Sequence, residues 1–186
     1  MKIALDQSDP LIWRTILVRK SVSFFELHHS IQVVMGWKNA HLFEFNIHGY
    51  RIGEIAEEFQ VEGFGSDELL DCRILTLDDM ISEHEAPFQY IYDFGDYWKH
   101  TLMIEKSLPE ASDLTYPVCL DGQLRCPPED CGGIYGYYNN LSILKDRRHE
   151  EYRDVKRWMG PSFDPNAFDK DAVNRKLKNL KRYMSK

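Results

Sequence analysis

Three of the four cysteines, Cys119, Cys126 and Cys131, fall as C-x6-C-x4-C in a stretch punctuated by Pro117, Pro127 and Pro128. Thiolates offered from one loop are zinc ligands. Structural zinc legs usually carry roughly two to four intervening residues, so only the second leg approaches that spacing. A fourth ligand would come from Cys72 or a histidine, with His100 and His41 nearest to other suggestive residues. The alternatives are buried thiols or, in an oxidising compartment, a disulfide.

A second concentration of reactive groups is Tyr92-Asp93-Phe94-Gly95-Asp96-Tyr97-Trp98-Lys99-His100. Asp93 and Asp96 are potential ligands for a divalent cation, and Asp96 is placed to orient His100 as a general base. A structural reading is equally direct. The aspartates bond backbone amides of a turn, Gly95 supplies a positive φ, and Trp98, His100, Leu102 and Ile104 share one strand face. Asp93-Phe94-Gly95 also spells the kinase magnesium triplet, but 186 residues cannot hold a protein kinase and no Gly-rich loop accompanies it. Further on, Pro127-Pro128-Glu129-Asp130-Cys131-Gly132-Gly133 brings two carboxylates that suit a cation, a basic partner or the cap of a following helix. Cys131 has no sequence-visible partner for nucleophilic work. His28, among Phe24, Leu27 and Ile31, reads as a hydrogen-bonded core histidine, and His29 as turned to solvent. Walker loop, dinucleotide fingerprint, G-x-S-x-G, H-E-x-x-H and C-x-x-C are all missing.

The net charge of -7 is unevenly placed. Residues 169–186 hold seven bases (Lys170, Arg175, Lys176, Lys178, Lys181, Arg182, Lys186) and two acids, a local +5, so the remaining body carries -12. Such a body repels phosphate backbones, which argues against a nucleic-acid groove across it. The basic tail is the one candidate for phosphate contact, or simply a terminal helix whose cations complement its dipole. No apolar run is long enough to span a membrane, and the opening Met1-Lys2-Ile3-Ala4-Leu5-Asp6 does not resemble a signal peptide. A cytoplasmic protein is expected.

The elements that must position these groups follow from hydrophobic period and end signals. Ile3 to Leu5 and Ile12 to Val18 read as strands, the second with Arg14 on the face of Ile12 and Ile16. Ser23 and Glu26 open a helix as a capping box, its apolar stripe runs through Phe24, Leu27, Ile31, Val34 and Met35, and Gly36 ends it. Leu42 to Ile47 is a strand, turning at Gly49 into Tyr50-Arg51-Ile52. Residues 54–71 hold seven acids and no base and read as a solvated loop. Arg73 to Leu77 is a short strand, Leu77 to Met80 a helical turn, and Phe88 to Phe94 with Trp98 to Lys106 a hairpin turning at Gly95-Asp96. Residues 109–133 read as loop. Helices follow at 134–145, 149–159 and 169–182, the last capped by Asp169, with Val173, Leu177, Leu180 and Met184 as its apolar stripe.

In order, these segments resemble the plasmid pRiA4b ORF-three-like proteins, often found beside bacterial and archaeal mobile elements. The resemblance is carried by Pro10-Leu11-Ile12-Trp13-Arg14, Phe25-Glu26-Leu27-His28, Met35-Gly36-Trp37, His41-Leu42-Phe43-Glu44-Phe45, Tyr92-Asp93-Phe94-Gly95-Asp96 with Trp98 and His100, Pro127 to Gly133, and Phe163-Asp164-Pro165. It extends over roughly residues 3–178. It implies a single α+β domain of unestablished activity. The resolvase label some members carry does not transfer, since no nucleophilic serine amid arginines and no helix-turn-helix is visible. Phe43 stands where the family's His-Leu-His-Glu-Phe pattern has a second histidine, which weakens a histidine-pair metal site.

The expected fold is α+β: an antiparallel sheet with a packed helix in β-grasp-like order, and a C-terminal helical annex, all in one domain over 1–186. Strands plus one helix fill 1–108, a loop 109–133, and the annex 134–186. The expected function is that of a non-enzymatic binding module for a protein or nucleic-acid partner, through Arg14, His41, Asp93, Asp96, Trp98, His100, Glu129 and Asp130. The alternative is a metal-dependent enzyme or zinc-stabilised domain using Cys119, Cys126 and Cys131 with His100.

Overall fold

The computed structural model describes residues 1–55, 69–82, 86–111 and 114–184. It is an α+β fold built on one eight-stranded sheet with six helices among the described residues. The strands are β1 (Lys2–Leu5), β2 (Trp13–Leu17), β3 (Phe43–Ile47), β4 (Tyr50–Gly53), β5 (Leu69–Asp71), β6 (Phe88–Tyr92), β7 (Trp98–Met103) and β8 (Val118–Gln123). Their spatial order is β5-β4-β3-β6-β7-β1-β2-β8, antiparallel throughout except for the β4–β5 pair. Helix α1 (Phe24–Met35) follows the first strand pair as its sequence signals predict. Ser23 Oγ accepts from Glu26 N at 3.1 Å, and Gly36 closes it in the left-handed conformation, φ 93°.

Period-two alternation puts one face of the central strands into the core: Arg14 and Ile16 on β2, Tyr90 and Tyr92 on β6, and Trp98, His100 and Leu102 on β7. Helix α1 buries Phe24, Leu27, His28, Ile31 and Val34 against them. The C-terminal annex is α3 (Gly133–Lys145), α4 (Tyr152–Met159), α5 (Lys170–Leu177) and α6 (Leu180–Met184), after the single turn of α2 (Leu77–Met80). Asp169 caps α5 by accepting from Ala172 N at 2.8 Å. The stripe foreseen for one helix over 169–182 is present, with Leu177 and Leu180 buried, but the helix breaks between them.

Several boundaries differ from expectation. The stretch 109–133 is not all loop: β8 pairs with β2 along the sheet's edge, entered from Pro117, which suits an edge where no ladder partner is needed beyond it. The short strand expected at Arg73 to Leu77 lies instead at Leu69–Asp71, while Cys72, Arg73 and Ile74 form a turn. Most of the acidic segment 54–71 lies outside the described residues. His29 is buried, not solvated, with Nδ1 bonded to Phe25 O at 2.8 Å. Edge strand β8 is closed by a side chain: Asn174 of α5 accepts from Cys119 N at 2.8 Å and donates to Cys119 O at 2.9 Å.

Arg14 is buried and acts within the core, not on a binding face. Its Nε donates to Val34 O at 2.9 Å, Nη1 to Trp13 O at 2.7 Å and Gln123 O at 2.8 Å, and Nη2 to Leu124 O at 2.7 Å. The guanidinium lies 4.1 Å from the Phe168 ring centroid. Gly122 must be glycine there: a Cβ would sit 2.7 Å from Arg14 Cδ and 2.8 Å from the Phe168 ring. Replacing Arg14 with Met strands four carbonyls in the interior. A stability loss of about 3 kcal/mol or more is expected in chemical denaturation. Arg14→Lys should recover little of it, because an ammonium cannot reproduce the planar fork.

The buried histidines generate a pH dependence. His28 meets Asn39 Oδ1 at 2.7 Å through Nε2, so that nitrogen carries the proton, and Nδ1 accepts from Tyr90 Oη at 2.8 Å. Its ring stacks 3.5 Å from Phe43. His100 is fully buried beside Trp37 and Tyr90, and neither ring nitrogen attains hydrogen-bond geometry. Burial pulls both imidazoles from 6.5 down to about 3. Below about pH 6.5 the unfolded chain therefore binds protons that the native chain refuses, so this contribution is complete above 6.5 and is lost as pH falls toward 3. Each histidine accounts for about 1.4 kcal/mol per pH unit in that window. His100→Leu should flatten the measured slope of unfolding free energy against pH by about one proton; an unchanged slope would contradict the assignment.

Candidate functional site

The strongest polar convergence is assembled from three distant parts of the chain at the end of the β3–β6 ladder. Phe43 of β3 pairs with Tyr92 of β6, and Asp93 N donates to Leu42 O at 2.9 Å, so the residues just outside each strand, His41 and Asp93, become neighbours. The third part is the Pro127–Gly133 loop, fastened by four bonds. Trp37 Nε1 donates to Pro127 O at 2.9 Å, Lys38 N to Glu129 Oε1 at 3.1 Å, and Gly132 N to Asp96 Oδ2 at 3.2 Å. Tyr92 Oη joins the first two parts to the loop by accepting from Ala40 N at 2.9 Å and donating to Glu129. Burial, then the Glu129 carboxylate, raise the Tyr92 phenol well above its ordinary value, so it remains a donor.

Held this way, His41 Nε2 lies 3.0 Å from Asp130 Oδ1 and 3.5 Å from Asp93 Oδ2. One ligand atom from each of the three residues lies within 4.8 Å of the others. Asp93 is buried, and its other oxygen is fixed by Gly95 N at 2.9 Å and Asp96 N at 3.3 Å, which leaves Oδ2 facing His41. Asp130 is exposed. Both aspartates sit at left-handed backbone, φ 59° and 60°, a conformation aspartate tolerates better than most residues and one that concentrates at functional positions. The surround is an open rim bearing Leu42, Phe94 and Tyr97, all substantially exposed.

The arrangement corrects several expectations. Gly95 does not supply the left-handed turn; Asp93 and Tyr97 do. Glu129 and Asp130 do not cap α3, which starts without a side-chain cap; Asp96 holds only the amide of Gly132, the residue before the helix. Trp98 and His100 belong to the buried face of β7, which removes both from a binding surface and takes His100 away from Asp96. Cys119, Cys126 and Cys131 are free, buried thiols. Burial raises Cys119 and pushes Cys126 and Cys131 up to about 12, so all three stay protonated, and they form no ligand group with His100. Among the described residues the set His41, Asp93 and Asp130 alone has metal-ligating geometry. Five of the eight expected binding residues, His41, Asp93, Asp96, Glu129 and Asp130, meet on this rim; Arg14, Trp98 and His100 lie beneath it in the core. Phe43 packs on His28 inside the core, their ring centroids 3.5 Å apart, and does not belong to the group around His41.

The fold and site define an α+β protein whose charged side chains converge on an open sheet rim and not in a deep cleft. The chain belongs to the plasmid pRiA4b ORF-3-like protein family, whose model matches residues 1–172. It is 33% identical over 182 residues to the uncharacterized protein y4hQ of Sinorhizobium fredii, a match covering 97% of this chain and 90% of that one. Its fold is similar to the crystal structure of protein of unknown function MM3350 from Methanosarcina mazei Go1, with TM-score 0.82 and 36% identity over 91% of this chain and 93% of the other.

The loop's placement depends on absent side chains. Gly133 has φ 65°, and a Cβ there would come 2.6 Å from Asp96 O; a Cβ on Gly136 would come 2.0 Å from Cys131 O. Gly133→Ala therefore adds a backbone clash to conformational strain and should cost about 3 kcal/mol, shifting the His41 ring resonances. Gly160→Ala, at φ 96° and ψ 140° with open space around it, isolates the strain and should cost about 2 kcal/mol with His41 unmoved. Thermal or urea unfolding with proton NMR of His41 makes the comparison.

Proposed function

We propose that the protein is a non-enzymatic binding module whose working face is the rim around His41, Asp93 and Asp130, and that it engages a basic protein partner. One observation carries this reading: two carboxylates and a histidine converge on an open surface flanked by the exposed apolar side chains of Leu42, Phe94 and Tyr97. Exposed aromatic and aliphatic groups beside charge are the makings of a protein interface, in which apolar anchors supply affinity and charge supplies steering. The -12 body favours a cationic partner. The buried histidines and thiols are held in their neutral forms and supply no nucleophile or base. Cavities of about 360 and 290 Å³ lie elsewhere, around Arg19 and Tyr116.

A second reading is nucleic-acid contact through the annex, where Arg175, Lys176 and Arg182 line a groove of about 480 Å³. Phosphate contacts from such a patch would be strongly salt-dependent. Association with mobile elements fits the plasmid origin of the family's name. A cytoplasmic setting fits four cysteines that are all free. No helix among the described residues is long and apolar enough to cross a membrane.

Site-specific photo-crosslinking tests the reading. A photoreactive residue at Phe94 or Tyr97 should yield discrete protein adducts that diminish in Asp130→Asn, whereas one at Leu120, exposed on edge strand β8, should yield none. Equal labelling from Leu120 would sink the assignment of the face. Nucleic-acid adducts confined to a probe at Lys176 would favour the second reading.

A further inference from the structure

We propose that His41, Asp93 and Asp130 form a binding site for one divalent transition-metal ion, zinc above all. The inference goes beyond the binding-module reading and is tested on the purified chain without any partner. Its first support is distance. Four ligands about 2.0–2.2 Å from a tetrahedral zinc lie about 3.3–3.6 Å from one another. The imidazole nitrogen stands 3.5 Å from Asp93 Oδ2, within that range, and 3.0 Å from Asp130 Oδ1, just short of it, so that a small outward turn of the exposed Asp130 completes the spacing.

Its second support is direction. His41 Nε2 is buried as an atom and sits 3.0 Å from a carboxylate, yet makes no hydrogen bond. The oxygens lie off the N–H axis, so the three donors surround a common point instead of pairing with each other. A hydrogen-bonded histidine–aspartate pair would show the opposite geometry. Third, the buried ligand is already oriented. Two amides hold Asp93 Oδ1, leaving Oδ2 for the ion, the outer-shell arrangement that metal sites require. Fourth, two carboxylates brought this close repel, and a divalent ion cancels their charge.

The imidazole selects the metal. Calcium and magnesium take all-oxygen shells, whereas one nitrogen with two carboxylate oxygens suits zinc or its first-row neighbours. Three protein ligands leave a coordination position open, and because Asp130 is exposed, that position faces the rim. An imidazole of a partner is the chemical class that would fill it.

The test uses the full chain, stripped with chelator, titrated with zinc by competition calorimetry, and titrated with cobalt(II) by absorption. One equivalent of zinc is expected, with affinity reduced at least tenfold by His41→Ala and by Asp130→Asn, and unchanged by Asp146→Asn. Asp130 is exposed, so its variant should keep the parent circular dichroism and Tm, separating lost ligation from lost folding. Cobalt should show d–d bands without a sulfur charge-transfer band. Absence of stoichiometric zinc, affinity indifferent to both site variants, or a sulfur band abolished by Cys126→Ser would each overturn the site. The photo-crosslinking result from Phe94 and Tyr97 stands or falls separately from all three.

Discussion

The structure depends on a positive charge buried with no carboxylate paired to it among the described residues. Arg14 stands in the core with backbone carbonyls as its hydrogen-bond acceptors. A buried cation is costly unless its donors are satisfied, and here four oxygens from β2, α1 and the end of β8 satisfy them together. The oxygen from α1 is in its last turn, where the helix dipole is negative, so the charge is favoured by the field as well as by the bonds. β8 lies more than 100 residues from β2, although β2 and α1 are consecutive. The guanidinium therefore fixes how the first helix, the strand pair and the sheet edge sit relative to each other, and Phe168 of the annex closes over it.

That fixation reaches the rim through the chain leaving β8. Leu124 is held by Arg14, and the segment that follows is the one delivering Glu129 and Asp130 to His41 and Asp93. Its path is then set by groups that are small or rigid: a proline carbonyl under Trp37, and glycines that let α3 start against the 93–97 turn. Precision at the rim is thus inherited from the core. A shift of the first helix would move Trp37, Lys38 and His41 together, and with them every bond that stitches the loop down.

Much of this order is legible from the sequence, and what is not has identifiable causes. Helix α1 announces itself through Ser23, its apolar stripe and Gly36, all local signals. The hairpin of β6 and β7 does the same through alternation. Arg14 alternates with Ile12 and Ile16 and so reads as inward, yet arginine's usual exposure suggests a surface role; nothing local tells of carbonyls 109 and 110 residues away. His100 sits on an apolar face by the same alternation, and its chemistry is silenced by that burial. The rim residues are individually visible as motifs, but their union is not. His41 pairs with Asp93 only through the β3–β6 register, and with Asp130 only through a loop placed by side chains from elsewhere. The cysteine spacing misleads because proximity along a loop says nothing about which way each thiol faces, and burial turned all three inward. Strand β8 hides behind Pro117 and a Cys-Leu-Asp-Gly sequence poor in β-branched residues, since edge strands need little propensity of their own.

The Asn174 amide against Cys119 has a consequence for the molecule's behaviour in company. Its carbonyl and amino groups reproduce the two bonds that a peptide unit of a ninth strand would make at that position. An outermost strand otherwise presents a template on which another chain can add itself, the first step toward fibrils and swapped assemblies. By spending one side chain from α5 on that vacancy, the protein ends its sheet with a counterfeit neighbour, and the broadest ladder it owns is kept from growing.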